Sequence, residues 1–130
     1  MSRPNHAIYS YVVHMNAFLW TLQILLAAAF LIAGGLKLLR SPDQLRPIMP
    51  WVDGFSASSI KGFGAVEVLG AIGLILPWAL KIATVLTPLS ASGLALIMIG
   101  AIVVHVRRKE PPIAQAVLLV LAALVAFGRF

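Results

Sequence analysis

Four apolar runs separated by short polar breaks organise this chain. The first extends from about Ala17 to Leu36. At about 1.5 Å of rise per residue, its roughly 20 residues match a hydrocarbon core about 30 Å thick. Its length, the interrupting Gln23 and the comparable runs that follow make it a spanning helix rather than a cleaved leader. The second run covers about Gly62 to Leu80 and contains Glu67. The third covers about Ile82 to Val106, with Pro88 near its start, where neighbouring helices can satisfy a freed carbonyl. The fourth, Ile113 to Phe127, is short and extends back through Pro111 and Pro112, which suit a first helical turn. None of the runs alternates polar and apolar residues with period two, which argues against a β-barrel. The pattern predicts an all-α fold: an integral membrane four-helix antiparallel bundle with an interfacial loop between helices 1 and 2. Residues 1–130 form a single transmembrane domain, with helices at about 17–39, 61–80, 82–106 and 111–128.

The connections differ in kind. Leu80–Lys81 leaves almost no loop, so the second and third helices are expected to be antiparallel neighbours. Val106–Glu110 is short and basic. Arg40–Ile60 is longer and holds three prolines, Trp51, Asp43, Asp53 and a serine cluster, the composition of a lid across the bundle mouth. The two odd loops carry Lys37, Arg40, Arg46, Lys61, Arg107, Arg108 and Lys109; the other side carries Arg3, Lys81 and Arg129. The cation excess predicts a multi-pass protein of the cell membrane with its odd loops in the cytoplasm. Trp20 and Trp78 then share the outer interface, and Trp51 marks the inner one. Small residues recur at four-residue spacing (Ala29 and Ala33, Ala91 and Ala95, Ala122 and Ala126), as close helix packing in lipid requires.

Composition strengthens the membrane assignment. The chain is 61% hydrophobic and 11% charged, with a mean hydropathy of +0.99. Soluble domains are about 45–50% apolar and about 25% charged, so this chain could not cover a water-facing surface. The absence of cysteine removes disulfides, thiolate metal sites and thiol exchange from consideration. The net charge of +6 reflects basic loops against anionic lipid. The expected partner is the bilayer, not nucleic acid.

Three ionisable residues stand out. Lys37 lies in the last turn of helix 1, Glu67 about 9 Å inside helix 2, and His105 at the end of helix 3. Alternating helix direction brings all three to one half of the bundle. A carboxylate at that depth should face the interior and be paired or protonated. One reading is a Lys37–Glu67 ion pair that fixes helix register; a second makes Glu67 a proton acceptor or a partner for a ligand's polar head; a third leaves it a water-exposed carboxylate beneath the lid. Lys37 alone would be an interfacial anchor and His105 alone an interfacial histidine. His6 and His14 lie toward the opposite side, which disfavours bis-histidine haem, and Glu67 with His105 lacks further metal ligands. No Ser–His–Asp spacing, P-loop or zincin motif is present. The bundle is thus expected to have a dry outer half and an ionisable, lidded inner half.

The segments Phe30-Leu-Ile-Ala-Gly-Gly-Leu-Lys37-Leu, Gly64-Ala-Val-Glu67-Val-Leu-Gly70-Ala, Gly100-Ala101 with His105-Val-Arg-Arg, and Ala126-Phe-Gly128-Arg129 resemble the DoxX-like membrane protein family over about residues 17–129. The resemblance implies a four-helix bundle and marks Lys37, Glu67 and His105. Relatives in that family form membrane parts of quinone-linked oxidoreductases, and a vertebrate relative looks like a receptor-assembly chaperone. Two functions follow as expectations. In one, the chain belongs to a quinone-linked redox system, with subunits of a membrane redox complex as partners. It has no intrinsic cofactor; a quinone-like or lipid ligand binds near Glu67, and for a quinone head group Glu67 and His105 exchange protons while Lys37 stabilises negative charge. In the other, it is a non-catalytic membrane assembly factor or scaffold. A small transporter would require a homo-oligomer, because four helices enclose little lumen.

Overall fold

A computed structural model describes residues 5–130; Arg3, one of the cations counted for orientation, lies outside the described residues. These residues are 84% helical, without strands. The elements are α1 (His6–Leu39), α2 (Pro42–Leu45), a 3-10 turn (Pro50–Gly54), α3 (Ala57–Leu80), α4 (Leu86–Arg107) and α5 (Ile113–Arg129). Helices α1, α3 and α4 are long and apolar enough to cross a membrane; α5 has 17 residues and is shorter.

Hydropathy locates the spans better than the helix ends. Helix α1 begins about eleven residues before its apolar run, because nothing between Asn5 and Ala17 breaks a helix and Asn5 caps it, accepting from the Ala7 N–H at 3.1 Å. Its 34 residues amount to about 51 Å, so the first turns extend beyond the apolar span. Part of the serine cluster assigned to the lid belongs to α3: Ser56 is its cap, accepting from the Ser59 N–H, and Ser58 and Ser59 lie in its first turn. The connection from α3 to α4 is also longer than expected. Lys81 and Ala83 take left-handed φ values of 56° and 47°, and α4 starts only at Leu86.

The prolines fall where they cost little. Pro88 is the third residue of α4, where the backbone N–H has no intrahelical acceptor, so no carbonyl is freed. Pro112 is the cap of α5, not part of its first turn. Pro77 lies within α3 and cannot donate to the Gly73 carbonyl. The Thr87 hydroxyl, from the start of α4, donates to that oxygen instead at 2.9 Å.

Helix α1 packs against α3 and α5, and α4 against the same two, closing a ring. The buried residues of α1 are Leu19, Leu22, Gln23, Leu26, Phe30, Gly34 and Lys37; those of α3 are Ile60, Gly64, Glu67, Ala71 and Leu74. Both sets follow spacings of three and four, one inward stripe per helix. The outward faces are equally apolar, with Ile32, Leu69 and Leu96 exposed. Such helices, apolar all round with their polar side chains turned inward, suit a lipid solvent.

The segment between α1 and α3 has a small core of its own, in which Leu45, Val52 and Ile60 are buried and Leu36, Met49, Trp51 and Phe55 pack around them. Ser41 and Gln44 form a reciprocal capping box on α2. Arg46 clasps the segment, donating to Asp53 at 2.6 Å and to Asp43 at 2.9 Å. Those two hydrogen bonds, Asp53 first, push the exposed Arg46 guanidinium above its ordinary pKa.

Candidate functional site

Lys37 and Glu67 meet where α1 and α3 come closest. Gly34 lies one turn before Lys37, and Gly64 one turn before Glu67. A Cβ on Gly34 would stand 2.7 Å from the Gly64 carbonyl oxygen, and a Cβ on Gly64 would stand 2.7 Å from that of Gly34. Only glycine at both positions lets the two backbones touch, and that contact brings the longer side chains within reach. The Lys37 ammonium donates to both Glu67 carboxylate oxygens, at 2.7 and 2.9 Å. Both side chains are buried, 7% and 3% exposed, so each charge depends on the other for compensation.

The lid covers the pair on its open side. The Trp51 ring centroid lies 5.5 Å from the Lys37 ammonium, within cation–π range. Trp51, Phe55 and Phe63 pack together, with centroids 5.3–6.3 Å apart. Lys61 reaches back to the Leu38 carbonyl at 2.9 Å, capping the end of α1.

His105 stands apart from this pair. Its Nδ1 is 3.0 Å from a Glu110 carboxylate oxygen, and Arg108 donates to the other oxygen at 2.9 Å. Among the described residues it makes no hydrogen bond or ion pair with Lys37 or Glu67. Gly70 faces Leu94 and Gly73 faces Ser90 across α3 and α4. Continued along the helices, that register puts Glu67 level with about residue 97, and His105 roughly 12 Å nearer the helix end. The expected convergence is therefore of two groups, with the third on the same side but at another depth.

The opposite end of the fold is not dry, contrary to expectation. Arg129, at the end of α5, is 8% exposed. Its Nε donates to the Gln23 side-chain oxygen at 2.7 Å and its Nη1 to that of Asn16 at 2.9 Å. The Gln23 amide nitrogen in turn donates to the Leu74 carbonyl at 2.6 Å. The guanidinium carbon lies 4.3 Å from the Trp78 ring centroid and 5.8 Å from that of Trp20. Read as a flanking cation, Arg129 is instead the centre of a polar cluster. Its sequence signal was the placement of Asn16, Trp20 and Gln23 at intervals of four and three, one face of α1.

Apolar outer faces, inward-turned polar clusters at both ends and a folded lid define a small helical membrane protein. The chain belongs to the DoxX-like family, whose sequence model matches residues 21–128. Neither the curated proteins nor the solved structures contain a significant match to it.

Proposed function

We propose that the chain crosses the cell membrane four times in alternating directions, with its odd loops in the cytoplasm. It acts there as a non-catalytic subunit, an assembly factor or scaffold for a membrane redox complex. The observation that carries the non-catalytic reading is the closed Lys37–Glu67 pair. Each group satisfies the other at 2.7 and 2.9 Å, backbones touch beside them, and the grooves beside Gly70 and beside Arg129 lie elsewhere. A group that exchanges protons with a ligand needs an approach for it, whereas a register-fixing pair needs only burial. Partner helices would meet apolar, shape-complementary faces such as those of Leu69 and Leu96.

The quinone-linked reading is favoured by a different observation, the aromatic cluster of Trp51, Phe55 and Phe63 next to Lys37. A quinone ring could stack there if Trp51 moved aside and the ion pair opened. Reconstitution in nanodiscs with a photoreactive quinone analogue separates the two. The scaffold reading expects no saturable labelling, and normal recovery of the double variant K37M/E67M. Saturable labelling at Trp51 or Phe63, lost in that folded double variant, would overturn it in favour of a quinone site.

A further inference from the structure

Every acidic side chain of this protein is at the lidded end or the α4–α5 turn, and every one is paired. Asp43 and Asp53 hold Arg46, Glu67 holds Lys37, and Glu110 holds His105 and Arg108. Arg129, at the other end, has no carboxylate within 4 Å among the described residues. Its acceptors are the neutral oxygens of Gln23 and Asn16. Arg129, 8% exposed as a residue and within cation–π range of two indole rings, thus carries a charge with no carboxylate partner, in a setting where buried charges ordinarily have partners.

The guanidinium is also held in place. Gln23 is tied to the Leu74 carbonyl, which turns its oxygen toward Arg129, while the Trp78 and Trp20 rings stand 4.3 and 5.8 Å from the guanidinium carbon. Of five N–H donors, Nε and one on Nη1 are used, and one on Nη2 makes a long contact of 3.5 Å to the Asn16 carbonyl. One N–H on each terminal nitrogen is left without a partner in the protein, so the guanidinium can still donate to an anion. Beside it opens a groove of about 420 Å³, walled by Tyr11, Met15, Asn16, Trp78 and Arg129. Most of its surface is apolar; Val12 and Leu19 contribute to it. Exposed Phe18, Leu124 and Phe127 continue that apolar surface along the helices.

From this geometry we propose that the groove binds the phosphodiester head group of an anionic membrane lipid. The Arg129 guanidinium takes the phosphate through its remaining N–H donors, and the acyl chains lie on the apolar faces of α1 and α5. Trp78 in its wall and Trp20 beside Arg129 set the site at head-group depth. A freely soluble phosphate would find the same guanidinium but would gain nothing from the apolar walls, which is the reason to favour lipid.

The test uses the purified full chain and native mass spectrometry in a mild detergent. Phosphatidylglycerol and phosphatidylcholine of identical acyl chains are titrated, with inorganic phosphate as the soluble arm. Phosphatidylglycerol should bind one per chain at least about tenfold more tightly than phosphatidylcholine, and inorganic phosphate should not compete at matched concentration. The preference should vanish in R129Q and survive in R107Q, which removes a cation at the opposite end. Should R129Q fail to fold, an anionic lipid with a photoreactive head group is applied to the unaltered protein. Crosslinks then belong at residues 11–16, 78 or 128–129. Equal affinity for the two lipids, crosslinks confined to Arg107–Lys109, or full competition by inorganic phosphate would overturn the proposal.

Discussion

Replacing Lys37 and Glu67 singly and together tests whether the pair does more than hold two helices. In E67Q the ammonium of Lys37, a residue 6% exposed in the unaltered protein, loses both charged acceptors. An unpaired lysine at the centre of a membrane helix costs about 2.5–3.5 kcal/mol, and breaking a buried pair in a protein interior costs about 3–5 kcal/mol. Lys37 is in the last turn of α1, so its stem can carry the charge outward, which puts E67Q near the lower figure. K37M strands the Glu67 carboxylate, eleven residues into α3 and without such an escape, and belongs at the upper end. K37M/E67M removes both charges and fills similar volume, a change that is often neutral or stabilising. The double variant should therefore be more stable than either single one, and within about 1 kcal/mol of the unaltered protein. Reversible unfolding in mixed micelles, followed by far-UV circular dichroism, measures all four members of the cycle. If the two single costs simply add in the double variant, the groups act independently and the register-fixing account fails.

The glycine contact predicts that G34A destabilises by about 1–3 kcal/mol and loosens the Lys37–Glu67 pair. G35A, whose added Cβ would meet nothing within 4 Å, should be neutral or mildly stabilising in the same unfolding assay. T87V should cost about 1–3 kcal/mol, because Pro77 leaves the Gly73 carbonyl with only the Thr87 hydroxyl. In a P77A background, where the restored N–H can donate to Gly73, the same substitution should cost much less; an unchanged cost would refute that account. L45A removes a fully buried side chain from the lid core and should cost about 2–5 kcal/mol. Its effect should be local: faster proteolysis between residues 40 and 56, with the helices retained by circular dichroism.

The three long apolar helices were legible from hydropathy, and the Lys37–Glu67 meeting because it follows from few, costly residues. Only one carboxylate lies inside an apolar run, and the alternating helix directions expected from short connections leave it few cations to meet. The depth of His105 was not legible, since axial register depends on how many residues the α3–α4 turn consumes. Left-handed Lys81 and Ala83 lengthen that turn in a way that apolar side chains do not announce. Glu110, five residues along and across a tight turn, was the nearer carboxylate for His105. The lid's own core was hidden because Leu45, Val52 and Ile60 lie among prolines and serines, where no single periodicity holds. Arg129 was hidden by its place at a helix end, where an arginine ordinarily faces head groups.

The two polar clusters acquire a common purpose from the bilayer. Lipid tails are as apolar as leucine, so burying Leu26, Phe30 and Leu74 gives little preference for one helix register over another. Gln23 and Lys37 are fourteen positions apart on the same stripe of α1, roughly 21 Å of rise, with Leu26, Phe30 and Gly34 between them. Each joins α1 to α3, Gln23 through the Leu74 carbonyl and Lys37 through Glu67. A slip of one helical turn would break both clasps together, and the Gly34–Gly64 contact with them. The alternatives are thus separated by polar groups that would be left unsatisfied, while the apolar stripe supplies close packing. Because those polar groups are satisfied inside, the outer faces offer a neighbouring helix only shape. Chemical selectivity toward lipid or protein then has to come from the two ends, through the lid on one side and the Arg129 groove on the other.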